Sequence, residues 1–192
     1  ELRPNALAVD SSGAAHITGD ISHYIGQQTL PLVNALPDPG PIGDMEPNAF
    51  VMKVNFPPGA QAPSLGYSTL IGGYNNDAGV RIAVDTAGGI YVAGETHKDA
   101  NGRNFPILNP IAQNGASHQG LSDIFVLKMV QTASGPLALQ YSTLIGSPNF
   151  DNVSELRVDS TGSVVITGLT GSGTEGLPLV NPLPGGTLSV NF

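Results

Sequence analysis

The side chains best suited to proton transfer or metal binding are four histidines and 15 carboxylates. His16, His23, His97 and His118 show no His-x-x-x-His or His-Glu-x-x-His spacing, which would set two imidazoles on one helix face, so a zinc centre has no support. Asp10, Asp85 and Asp159 each open an Asp-x-x-Gly segment. Clustered carboxylates suit a hard cation such as calcium. Here each segment brings one carboxylate and no Asp-x-[Asp/Asn]-x-[Asp/Asn]-Gly loop occurs, so an Asp-capped turn is the preferred reading. Asp77 and Asp151 fall ten residues after a recurring tyrosine, and Asp123 precedes an apolar run. These three are the candidate cation ligands, with structural hydrogen bonding the favoured role and no cofactor expected beyond that calcium candidacy.

For nucleophilic chemistry the best serine is Ser142, singled out only because it recurs as Ser68. A catalytic serine is normally unique, and no Gly-x-Ser-x-Gly is present. Thr69 and Thr143 share that objection. Tyr67 and Tyr141 are expected to pack between structural units, and no catalytic residue is assigned.

The recurrences describe the scaffold. Val9-Asp10, Val84-Asp85 and Val158-Asp159 are 75 and 74 residues apart. Leu30-Pro31-Leu32, Phe105-Pro106-Ile107 and Leu177-Pro178-Leu179 follow in step. Tyr-Ser-Thr-Leu-Ile-Gly occurs at Tyr67 and again at Tyr141, and Ala49–Lys53 matches Ile124–Lys128. A period this long means stacked supersecondary units. Each unit divides into four short strands. The first is Leu7–Asp10, Ile82–Asp85 or Leu156–Asp159; a tight turn leads to Ala15–Gly19, Ile90–Gly94 or Val164–Gly168. A long loop then precedes a third strand, Ala49–Phe56 or Ile124–Val130, and the fourth ends in the tyrosine motif.

Both alternating sets of Ile124-Phe125-Val126-Leu127-Lys128-Met129 are largely apolar, so this sheet must be covered on two faces. Repeated four-stranded meanders buried on both sides describe propeller blades. A sandwich has no reason to repeat at this interval, and β-helix coils are far shorter. The expected fold is all-β: a β-propeller segment of about three four-stranded antiparallel blades in an incomplete ring. Its blade-like repeats span 1–72, 73–146 and, partially, 147–192.

Composition narrows the partners. There are 25 Gly and 16 Pro, and only 11% of residues are charged, which argues against both long helices and disorder. The net charge of −8 and the lack of a basic cluster make nucleic acid and anionic membranes poor partners. No apolar run is long enough to span a bilayer. The absence of cysteine excludes disulfides without choosing a compartment. The sparse lysine and abundant Thr, Ser, Asn and Gly lean towards a bacterial exterior. Because Glu1 is not a start methionine, the chain is expected to be a piece of a longer precursor.

The run YSTLIGGYNNDAGVRIAVDTAGGIYVAGET, followed by NFPI and SDIFVLK, resembles the seven-bladed β-propeller (SBBP) repeat of bacterial exported proteins. The resemblance covers nearly the whole chain and implies a propeller fold and an exported location. The family carries no agreed activity. Ser147-Pro148 stands where a second Gly would fall in blade three, Asn48 stands where Asp123 does, and loops 20–48 and 97–122 are longer than usual.

About two and three-quarter blades are accounted for, with 187–192 expected as the third strand of the last. Two end faces, each on the order of 400 Å², would then be open, calling for further blades of the same polypeptide or other copies of the chain. Individual function is expected where the repeats differ. Loop 20–48 carries Asp38, Asp44 and Glu46; loop 97–122 carries His97, Arg103, Asn104, His118 and Gln119. Blade three has a shorter, Gly-rich loop, Gly171–Gly176. These loops are expected to form one uneven rim that contacts a protein or glycan, making the chain a non-enzymatic secreted or surface scaffold. Second in order is a subunit of a multi-copy assembly, and third a rim-site hydrolase or lyase.

Overall fold

A computed structural model describes residues 1–22, 30–43, 46–59, 61–111, 114–171 and 177. Among them lie ten strands and no α-helix. The strands are β1 (Leu2–Val9), β2 (Ala15–Ile21), β3 (Asn48–Asn55), β4 (Ser64–Ile71), β5 (Asp77–Val84), β6 (Ile90–His97), β7 (Ser122–Gln131), β8 (Leu137–Ile145), β9 (Asp151–Val158) and β10 (Val164–Thr170). They form two antiparallel meanders, β1-β2-β3-β4 and β5-β6-β7-β8, and an antiparallel pair, β9-β10. The arrangement is all-β and propeller-like. Residues 187–192, expected as a further strand, lie outside the described residues.

The first strand of each sheet starts about five residues earlier than its apolar pattern suggests. The register shifts between Pro4 and Ala6, between Gly79 and Arg81, and opposite the Thr167/Gly168 step. One extra residue in the strand breaks the two-residue alternation, so the segment before the bulge reads as loop. The turns into β2, β6 and β10 follow the Asp-x-x-Gly logic. Asp85 Oδ1 accepts the N–H groups of Ala87 and Gly89 at 2.9 and 2.7 Å, and Asp10 and Asp159 do the same in their sheets. Gly88 closes its turn at a φ of 85°, a left-handed conformation that a side chain would disfavour.

The middle sheet is covered on both faces, which is why β7 is apolar at successive positions. Phe125, Leu127 and Met129 pack with Ala49, Val51, Tyr67 and Ile71 of the first sheet. Ile124 and Val126 turn the other way, towards Val153 and Leu156 of β9. Beyond β2 and β6, the Pro-containing segments return to the outer strand. Val33 and Ser68 exchange backbone hydrogen bonds at 3.1 and 2.7 Å, and Leu108 and Ser142 do so at 3.2 and 2.7 Å. Asn34 and Asn109 follow in left-handed conformations, their side-chain amides donating to Gly66 O and Gln140 O. Phe105 stacks on Phe125 with centroids 4.3 Å apart, and Leu30 joins the cluster around Phe50. The Phe-Pro and Leu-Pro landmarks are therefore the points at which these loops are pinned to the sheet.

Candidate functional site

Antiparallel order places the β2–β3 and β6–β7 loops at the same end of the sheets as the β4–β5 and β8–β9 connections. That end is the rim on which the candidate residues fall. Each inter-sheet connection is held by a buried acid at the start of the next strand. Asp77 Oδ2 accepts Gly73 N–H at 2.7 Å, and Asp151 Oδ2 accepts Ser147 N–H at 2.7 Å. Asp123 uses the same device on its own loop, taking Gln119 N–H at 2.7 Å and Gly120 N–H at 3.2 Å. At the matching place in the first sheet Asn48 works as a donor, to Gly43 O and Glu46 O. Burial pushes Asp77 up to about 7, against the opposing pull of the Thr96 hydroxyl and Gly73 N–H. Asp123 and Asp151 both adjoin the Gly146–Ser147 corner of the β8–β9 connection, whereas Asp77 belongs to the preceding connection, β4–β5. Among the described residues no three His, Asp or Glu side chains converge as metal ligands.

Tyr74 is the centre of the exposed part of the rim. The Arg103 guanidinium lies 3.2 Å from its ring centroid, and Tyr74 N–H donates to Arg103 O. Arg103 also pairs with Asp99 at 3.1 Å, and that ion pair holds the Asp99 carboxyl below the usual range. Asn104 Oδ1 accepts Asp99 N–H, closing the turn. From the other side, the loop of the first sheet approaches at Gly43, where an added Cβ would stand 2.2 Å from Tyr74 O. Glu46 and Asp38 are exposed on that loop. Loops of two sheets thus meet over one connection, and Arg103, Asn104, Glu46 and Asp38 all belong to them. His97 ends β6 and sits 6.3 Å, centroid to centroid, from Phe150 of the β8–β9 connection.

Two expectations change. His118 is not presented to a partner: it is buried, with Nδ1 3.3 Å from Asp123 Oδ2, because its loop folds over the β8–β9 connection. Gln119 spends its side-chain amide on its own loop, donating to Ser117 O at 2.9 Å. Asp44 and His23 lie outside the described residues.

The recurring hydroxyl residues are buried within the sheets. Ser68 and Ser142 are buried, their backbones engaged with the returning loops and their hydroxyls without a hydrogen-bond partner among the described residues. Thr69 Oγ1 accepts Leu36 N–H, and Thr143 Oγ1 accepts Ile111 N–H and donates to Gly115 O. A groove of about 550 Å³ runs between β8 and β10, lined by Val126, Tyr141, Ile145, Val164 and Ile166 among others, with no carboxylate, imidazole or ammonium among the described residues of its walls.

A polar cluster that spacing did not reveal lies at the opposite end. Asp10 Oδ2 receives Lys53 Nζ at 2.8 Å and stands 2.9 Å from His16 Nε2, while His16 Nδ1 is 2.5 Å from Tyr67 OH. Burial raises Asp10, but hydrogen bonds from His16, Lys53, Ser12 and Ala14 outweigh it and hold the acid well below its ordinary value. Burial lowers His16 and raises Tyr67. The second sheet repeats the plan with Tyr91 in place of His16: its hydroxyl donates to Asp85 at 2.9 Å, with Lys128 3.7 Å from the same carboxylate. The one signal in the sequence was that His16 and Tyr91 hold the same repeat position.

Compared with known proteins, residues 66–99 match the SBBP family model, a β-propeller repeat. The matched span takes in most of β4, then β5 and β6, crossing from one sheet into the next. No curated protein matches the chain.

Proposed function

We propose that this chain is a non-enzymatic propeller scaffold, working outside a bacterial cell, whose rim loops contact a protein or polysaccharide. The convergence of loops from two sheets around Tyr74 carries the reading. It gathers an aromatic ring, a stacked guanidinium, carboxylates and an amide on one exposed edge, the mixture that recognition surfaces favour. Ser68 and Ser142, the serines best placed by recurrence to act as nucleophiles, are buried beneath the returning loops, and the described walls of the apolar groove carry no acid–base pair; both support a scaffold over a hydrolase or lyase. Few lysines and abundant Thr, Ser, Asn and Gly favour the exported setting. To test it, residues 98–104 are replaced by the shorter Ser172–Gly176 segment and binding is read on glycan and surface-protein arrays. Binding that is lost in the graft supports the rim; binding that is unchanged, or absent from the parent chain, overturns it.

A second reading, assembly through open sheet faces, rests on a different observation. Leu7 and Val9 of β1 are 60% and 61% exposed, whereas Ile82, which holds Leu7's position in the second sheet, is 8% exposed because the first sheet covers it. The outward face of the first sheet is built like a buried one. Light scattering on the purified chain decides this: a mass above that of one copy supports assembly, and a strict monomer at high concentration removes it.

A further inference from the structure

The groove between β8 and β10 is the counterpart, one repeat on, of a site that is filled between the first two sheets. Val126, Tyr141, Ile145, Val164 and Ile166 line it. Their repeat positions in the preceding interface are Val51, Tyr67, Ile71, Ile90 and Val92, each 1% exposed or less. What buries that set is β7. Its Phe125, Leu127 and Met129 belong to the same cluster, paired in register with Gly94, Val92 and Ile90. Around the groove Tyr141, Ile145, Val164 and Ile166 are only half-buried. Ile111 on its wall is 43% exposed, where its counterpart Leu36 is 6% exposed. Among the described residues β10 pairs with β9 alone.

Gly168 supplies a second, independent sign. In both four-stranded sheets the matching glycine, Gly19 or Gly94, is buried, with a third-strand ring, Phe50 or Phe125, against it. Gly168 keeps the other half of that arrangement, with Asn152 O 2.3 Å from where a Cβ would stand. Yet Gly168 is exposed, and no ring atom is among its nearest neighbours. A seat for one aromatic side chain and a trough for two aliphatic ones thus lie in line at Gly168, Ile166 and Val164, on the two-residue period of a strand. The described walls carry no charge, so the complement is apolar. An outer strand also offers backbone donors and acceptors to an added one.

We infer that this groove receives an extended segment of a different protein, added antiparallel to β10, with an aromatic residue opposite Gly168 and aliphatic residues opposite Ile166 and Val164. A second copy does not provide it, because its strand of that type, β7, is an inner strand of its own sheet. Leu188–Phe192 matches Leu121–Phe125 at Leu, Ser and Phe, and so carries a counterpart of Phe125 without those of Leu127 and Met129. The site does not rest on the reading of the rim loops. The graft of 98–104 leaves every groove residue in place, so the two readings fail separately.

The probe is a fluorescein-labelled peptide with the β7 sequence, Ser122–Gln131, followed by fluorescence anisotropy on the whole chain. The parent is expected to bind it, and a control peptide with serine at the places of Phe125, Leu127 and Met129 is expected not to bind. Ile166→Lys should weaken binding by about tenfold or more, because a charge would be buried against the added strand. Ile111→Glu, at a more exposed wall position, keeps the test open should Ile166→Lys fail to fold; circular dichroism verifies both. Hydrogen exchange locates the peptide: the β10 amides not bonded to β9 should gain protection only when it is bound. No binding to the parent, equal binding of the control peptide, undiminished binding in a folded variant, or protection gained elsewhere than on β10 would each overturn the proposal. So would protection of those amides in the parent alone, which would give the groove to the chain's own terminus or to a second copy.

Discussion

Gly94 of β6 lies directly beneath the ring of Phe125 on β7: a Cβ at Gly94 would stand 2.5 Å from that ring and 2.0 Å from the carbonyl oxygen of Ala78. Gly19 stands in the same relation to Phe50 and to Arg3 O. Both glycines face the bulge of the first strand, so backbone closes one side and a pinned aromatic the other.

Gly94→Ala should therefore destabilise the fold by about 3 kcal/mol through overpacking. Gly88→Ala should cost roughly 1 kcal/mol, because nothing lies within 4 Å of the added carbon and only its φ of 85° is strained. Urea denaturation of the two variants makes the comparison. Equal losses would mean that the ring and bulge yield easily.

Asp77 should give the protein an acid-favoured component of stability. Its folded pKa of about 7 lies above its ordinary value of 3.8, so its contribution is complete below 3.8 and shrinks as pH rises to about 7. Asp77→Asn should remove that slope. Relative to the parent it should gain roughly 2–4 kcal/mol between about pH 4 and pH 8, a range that allows for a shift known to within a unit. Denaturation midpoints of both proteins across that range supply the difference, in which the other carboxylates cancel. A constant difference would show that the buried acid is not protonated in the fold.

His16 works in the opposite sense. Burial and Lys53 lower its pKa against the pull of Asp10, so the neutral ring is the stable form, and its contribution is lost as pH falls from about 6.5. His16→Tyr, which installs the residue found at the matching place in the second sheet, should abolish that acid sensitivity. It should also cost less than His16→Ala, expected to lose about 2–4 kcal/mol by stranding Tyr67 OH and opening a cavity. If the tyrosine variant is the worse of the two at neutral pH, the repeat positions are not interchangeable.

Ser142→Ala should change stability by less than about 1 kcal/mol, and Ser68→Ala likewise, since neither hydroxyl has a partner to lose. Thr143→Val should cost more, about 1–2 kcal/mol, because Thr143 Oγ1 serves Ile111 N–H and Gly115 O. Thermal melts rank the three. A serine variant that melts well below Thr143→Val would place an unrecognised donor or acceptor at that hydroxyl.

The repeat made the second, third and fourth strands of the two four-stranded sheets readable because Ile90–Gly94, Ile124–Val130 and the tyrosine motif keep their apolar patterns to the end. The start of each first strand escaped, since Asn5, Val80 and Ser154 are the extra residues that put the pattern out of phase. Recurrence identified Asp77, Asp123 and Asp151 as structural hydrogen-bonding candidates. Which donors they serve depends on loop paths that composition does not encode. The contact of His16 with Tyr67, 51 residues apart, exists only once β2, β3 and β4 lie side by side. The inward turn of His118 follows from the folding of its loop over Ser147–Asn149, which no local pattern in 114–121 announces.

The backbone exchange between Val33 and Ser68, and its counterpart at Leu108 and Ser142, has a bearing on solubility. β4 and β8 are the outermost strands of their meanders, the places where a stray chain would most readily add itself and begin a growing stack. A single residue of returning loop, making two backbone hydrogen bonds, already occupies the middle of each such margin, and the left-handed asparagine after it steers the chain away before a longer ladder can form. A deletion that removes the clasp would leave the outer strands open as templates for fibre growth.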